Sequence, residues 1–84
     1  MNTSNELIDI NELVVETKYA KSTLARELSE AGVTKVGKDI YIRKEYYALR
    51  TYKSMVKAEP KKFGESAVLR NKRIRENWRS LLEN

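Results

Sequence analysis

The spacing of apolar residues changes period at Gly32. Before it, Leu24, Leu28 and Ala31 recur at intervals of four and three, the stripe of an amphipathic helix. After it, the run VTKVGKDIYIR sets β-branched Val33, Val36, Ile40 and Ile42 on either side of Gly37-Lys38-Asp39. That pattern predicts two short strands joined by a three-residue turn. Gly32 itself reads as a helix stop, because glycine tolerates positive φ. A hairpin this short cannot hold together alone in water, so it has to pack on helices. The chain is thereby restricted to a mainly α fold carrying a small β-hairpin.

The flanking segments read as helices. Asp9 can cap a first helix, with Glu12 three residues later as in a capping box. Ile10, Leu13 and Val14 share a face of it, Ile8 can staple onto Leu13, and the helix should end near Thr17-Lys18. The turn Thr17-Lys18-Tyr19-Ala20 follows, with Tyr19 as its apolar plug, and a second helix covers residues 21–31. A third helix over residues 44–58 carries Tyr46, Tyr47, Leu49, Tyr52, Met55 and Val56, and Pro60 ends it. Tyr41, Tyr46, Tyr47 and Tyr52 are expected to wedge this helix against the hairpin rather than to stack on bases. The predicted organisation is a flexible N-terminus (residues 1–6), a compact unit (7–58), a linker (59–64) and a basic amphipathic helix (65–84).

In that last helix Ala67, Ile74 and Leu81 repeat every seven residues, with Trp78 on the same side. Leaving Ile74 and Trp78 in water would cost about 1.5–3 kcal/mol each. A second copy of the chain or the chain's own domain could cover them, or the arginine-rich face could lie along DNA. The expectation is self-association, as a dimer, through Ala67, Ile74, Trp78 and Leu81, since proteins that read two half-sites are commonly dimers. Truncation after Pro60 should then abolish assembly and leave the fold.

Charge narrows the partner. The 84 residues hold 17 Lys plus Arg against 12 Asp plus Glu, a net +5. Residues 1–60 carry a net of only +1, and residues 61–84 carry +4. A basic segment beside a nearly neutral unit suggests a polyanionic partner. With no cysteine and no histidine, disulfides, the usual zinc ligands and the commonest general base are missing. No enzyme activity, metal, cofactor or small-molecule substrate is expected, and Glu27/Glu30 reads as solvated charge. Residues 1–6 are polar and no apolar run approaches the roughly 20 residues of a membrane span, so a cytoplasmic protein without membrane attachment is expected.

Residues 10–28, INELVVETKYAKSTLAREL, carry the functional reading. Two helices joined by so short a turn must bury Leu13, Val14, Leu24 and Leu28 between them. The start of the second helix is then left open, with Lys21, Ser22, Thr23 and Arg26 short, polar or basic. A helix that reads base edges in a major groove needs such residues in its first turns. Lys35, Lys38 and Arg43 on the hairpin and its flanks would reach phosphates, although Asp39 lowers the field there. Arg70 and Arg73 of the last helix are further candidates for DNA contact.

These residues, through STLARELSEAGVTKVGKDIYI, resemble the winged helix-turn-helix of the MerR and excisionase group, a module shared with phage small terminase subunits. The resemblance covers residues 7–57. Family members usually have Gly where this chain has Lys18 and Ser where it has Ala20, which implies a less regular turn or a cap from Ser22. The resemblance implies a second helix in the major groove and a wing on the backbone or in the minor groove. The expected function is sequence-specific binding of double-stranded DNA by a small phage or mobile-element protein, in a bacterial or phage-infected cell. It would act in transcription regulation or as an excisionase-like factor. A terminase small subunit that recognises viral DNA for packaging is the alternative, and a protein–protein adaptor without DNA binding is another.

Overall fold

The computed structural model describes residues 6–60 and 64–83. The expectations for residues 1–5, for linker residues Lys61, Lys62 and Phe63, and for Asn84 lie outside the described residues. The elements run β1 (Leu7–Asp9), α1 (Ile10–Thr17), α2 (Lys21–Ala31), β2 (Lys35–Gly37), β3 (Ile40–Ile42), α3 (Arg43–Ala58) and α4 (Ala67–Asn77), followed by a 3-10 helix (Trp78–Leu82). The protein is mainly helical with one small sheet. Among the described residues no helix is long and apolar enough to cross a membrane.

Local chemistry sets the helix ends. Asp9 caps α1 from an extended conformation, its Oδ1 accepting from Asn11 N at 2.7 Å. Glu12, the expected reciprocal partner, turns instead to Arg43 (3.5 Å). α1 ends on Lys18 in the left-handed region (φ +65°), whose N–H donates to Val14 O. α2 starts after Ala20, which gives it no side-chain cap. It stops at Gly32 (φ +76°), where Gly32 N donates to Ser29 O and Val33 N to Leu28 O, both at 3.1 Å.

Lys18 thus stands where the backbone favours glycine. An L-residue there costs about 1–2 kcal/mol, part of which glycine's larger unfolded-state entropy takes back. Lys18→Gly is expected to raise stability by about 0.5–1 kcal/mol, read as a higher urea midpoint at unchanged m-value. Tyr19 does not plug the turn. It is 53% exposed, because Leu13, Leu24 and Leu28 already close the space between α1 and α2.

The sheet has three antiparallel strands in the order β1-β3-β2. β1 pairs Leu7 with Ile42, Ile8 with Tyr41 and Asp9 with Ile40. This third strand is an addition to the expected hairpin. It also shows that Glu6, assigned to a flexible terminus, is tied in, for its carbonyl accepts from Arg43 N at 2.8 Å. Between β2 and β3 the chain turns at Lys38 and Asp39, with Asp39 at φ +61° and an irregular register between Lys35 and Gly37. Val36 is 49% exposed, whereas Val33 ahead of the strand is buried.

α3 ends on Glu59, whose extended backbone (ψ 147°) is what a following proline demands. Tyr41 and Tyr46 are buried between the sheet and the helices, as expected of wedging aromatics, while Tyr47 lies at the surface. Ser66 caps α4, its Oγ accepting from Leu69 N at 3.2 Å. One core then runs through all the helices. Ile8, Leu13, Leu24, Leu28, Leu49 and Val56 join Ile74 and Trp78 in a single cluster, and Leu81 packs on its edge.

That cluster corrects the expected tail. Ile74 (4% exposed) and Trp78 (0%) are covered by the chain's own domain and are not free to pair with a second copy; Leu81 is half-buried and Ala67 is exposed. The reason is a set of donors that fit the end of α2. Trp78 Nε1 donates to Ala31 O at 2.8 Å, and the Arg79 guanidinium donates to Gly32 O. Arg79 also stacks on the Trp78 ring and pairs with the buried Glu45 carboxylate (3.2 Å), which itself accepts from Thr34 N (2.9 Å). Carbonyls left over at a helix end are satisfied, and the tail becomes part of the compact unit rather than an appendage.

Candidate nucleic-acid interface

α2 divides cleanly by face. Leu24, Leu28 and Ala31 are buried, and on the opposite side Ser22, Arg26 and Ser29 form an exposed ridge at spacings of four and three. Ser22 and Arg26 are therefore open to a partner. Thr23 and Ala25 flank the ridge and are partly covered. Small residues on this ridge allow another surface to come within van der Waals distance of the helix, and Arg26 extends beyond them. Its side chain is 74% exposed and holds Glu30 only loosely, at 3.9 Å. An exposed i, i+4 pair of this kind is worth a few tenths of a kcal/mol, so the guanidinium is readily transferred to a stronger anion.

The hairpin lies beside the start of α2. Lys21 Nζ sits 3.0 Å from Asp39 Oδ2 at the turn, and Ile10 N donates to Asp39 O at 2.8 Å. Both bonds fix the hairpin tip against the first residues of α1 and α2. The Lys21 hydrogen bond holds the Asp39 carboxyl below its ordinary range, which keeps Asp39 ionised at the hairpin tip. Lys35 and Lys38 are exposed on the same hairpin. Lys21, Lys35 and Lys38 are thus brought together around Asp39 at the start of α2, while Arg26 stands on the exposed ridge of the same helix.

Three expected contacts are spent within the chain. Arg43 is partly buried, with Nε on Leu7 O (3.2 Å) and its guanidinium near Glu12, so it joins β1 to α1 rather than projecting from the hairpin. Arg70 pairs with Glu65 (3.6 Å). Arg73 bridges Glu59 (3.1 Å) and Glu65 (3.3 Å), and the hydrogen bond that its guanidinium donates to Glu59 raises its already high pKa. The cause is the return of the chain after Pro60, which brings these carboxylates back against the first turns of α4. A sequence reading that counts the helix's arginines as free misses partners 5 to 14 residues upstream.

Three exposed residues were not read from sequence as contact candidates. Tyr19 stands at the surface of the turn just ahead of α2. Arg75 is exposed on α4, and Asn71 one turn earlier shares its face. The helical spacing of Asn71 and Arg75 is visible in the sequence, but not the surface that they border.

No protein-family model matches the chain, and no curated protein or solved structure matches it significantly.

Proposed function

We propose that the protein binds double-stranded DNA with sequence preference, as a winged helix-turn-helix in which α2 enters the major groove and the β2–β3 hairpin is the wing. The observation that carries this reading is the open ridge Ser22, Arg26 and Ser29 on α2, with a hairpin that carries exposed Lys35 and Lys38 tied to the start of the same helix through Lys21 and Asp39. The major groove admits one α-helix, and short polar side chains let the helix sit deep enough to read base edges. Arg26 can take the two acceptors of a guanine, the commonest specific contact. Lys35 and Lys38 would hold phosphate and fix orientation without reading sequence. Lys18 fills the family's glycine position at the positive φ that glycine suits, which favours the same reading of the turn. The role that follows is that of a small regulator or excisionase-like factor of a phage or mobile element.

The test is selection from a randomised duplex library, followed by titration of the selected sequence and scrambled controls. Arg26→Ala is expected to lose about 1–3 kcal/mol of discrimination at one base position, while Lys38→Ala weakens all duplexes about equally. If the wild-type chain enriches no sequence, the claim of sequence preference is lost. If neither substitution alters binding, α2 and the hairpin are not the contact surface.

A further inference from the structure

α4 covers the core with Ile74 and Trp78 and presents Asn71 and Arg75, one turn apart, on the flank toward α2. With Thr23, Arg26, Glu27 and Glu30 of α2 they line an open cleft of about 220 Å³. The charges in this cleft are not equivalent. Glu27 is held by Lys53, and Glu30 is paired loosely with Arg26. Arg75 is exposed and makes no ion pair among the described residues. Its helix-mates Arg70 and Arg73 are committed to Glu65 and Glu59. Of the arginines on α4 itself, Arg75 is the one left with its charge unopposed.

Geometry says where that charge would act once α2 is docked. A major groove is about 12 Å wide, and an α-helix with its side chains is about 10–12 Å across, so the groove holds one helix. Packed helix axes lie about 8–10 Å apart. A helix packed alongside α2 therefore cannot enter the groove with it and lies over its edge, where the phosphates run. The carboxylates of Glu27 and Glu30 disfavour a small anion diffusing into the cleft. With Arg26 turned to the bases, Arg75 is the cation of α4 that a phosphate brought to this cleft by α2 would meet.

We infer that Asn71 and Arg75 form a backbone clamp for the same duplex. The Arg75 guanidinium would donate to the phosphodiester oxygens, and the Asn71 amide would donate beside it. This extends the DNA contact to a second, non-reading helix, and it rests on the proposed DNA-binding function. It also gives α4 a role besides covering the core.

The experiment uses the full chain and the duplex selected by the wild type, with affinity measured by fluorescence anisotropy over a series of salt concentrations. Arg75→Ala is expected to weaken every duplex about five- to tenfold at low salt, to keep the ranking of sequences, and to lower the salt slope by about one unit. Asn71→Ala should show a smaller loss with the slope unchanged. Arg70→Ala removes the same charge from the same helix and should bind as the wild type does. If Arg75→Ala keeps wild-type affinity and slope while Arg26→Ala is impaired, the clamp is overturned and the DNA-binding function stands. If Arg70→Ala and Arg75→Ala weaken binding alike, the effect is net charge and the clamp is again overturned. A wild-type chain that takes up no duplex even at low salt removes both.

Discussion

Trp78→Ala is expected to cost about 3–5 kcal/mol of stability, the range for removing a buried aromatic side chain. Trp78 is fully buried, and its Nε1 donates to Ala31 O at 2.8 Å. The substitution therefore opens a cavity and also strands a carbonyl at the end of α2, a penalty of about 1–3 kcal/mol in its own right. Arg79 loses the ring on which it stacks. A chain of this length commonly has about 4–13 kcal/mol in total. The variant should thus lose about a quarter or more of the urea midpoint followed by circular dichroism. Trp78→Phe separates the two contributions, since it keeps most of the apolar volume and removes only the donor. A loss below about 1 kcal/mol for Trp78→Ala would mean that α4 and the 3-10 helix do not belong to the folding unit. By the same logic, truncation after Pro60 removes Ile74 and Trp78 from the core, and the shortened chain is expected to lose cooperative unfolding. This reverses the expectation that the tail could be cut away without harm to the fold.

Much of the fold was legible because local chemistry fixes it. α2 begins and ends where residues 21–31 were read, since the apolar stripe is closed by a glycine whose backbone φ no other residue adopts so cheaply. α3 differs from its reading by one residue, Arg43 joining its first turn, and Pro60 sets its end. Long-range pairing was not legible. β1 is three residues with no alternation to announce it, and it exists because β3 offers it an open edge 33 residues along the chain. The burial of Trp78 was legible as a need but not as a place. Periodicity showed an apolar stripe that had to be covered. Only the fold shows that the cover includes two carbonyls at the end of α2, 47 residues away.

The candidate site shows the same division. Ser22 and Arg26 were read as open from the helical wheel of α2, and they are open. Arg43, Arg70 and Arg73 were read as free from their charge alone. Charge in a sequence does not say which carboxylates the folded chain returns to it, and here Glu12, Glu59 and Glu65 take all three. The surplus of +4 in residues 61–84 is thus partly spent before any partner arrives. What is left is a smaller set of cations around α2 than composition suggests.

That smaller set fixes the expected response to salt. Lys21, Arg26, Lys35, Lys38 and Arg75 are the exposed cations that the proposed binding mode turns to DNA from α2, the hairpin and the adjoining face of α4. If four or five phosphates are neutralised, the slope of log affinity against log salt should be about −4, and affinity should fall roughly 10²–10³-fold between about 50 and 200 mM. Arg43, Arg70 and Arg73 would raise the slope to about −7 if they too gave up their carboxylates for phosphate. The measured slope therefore counts which arginines are engaged, independently of the sequence bound. Lys21 must leave Asp39 to reach a phosphate, so Asp39→Asn should tighten binding to every duplex without altering the slope by more than about one unit. A slope shallower than about −1 would mean that the cations around α2 do not meet a nucleic-acid backbone, and the open face of α2 would then belong to a protein partner.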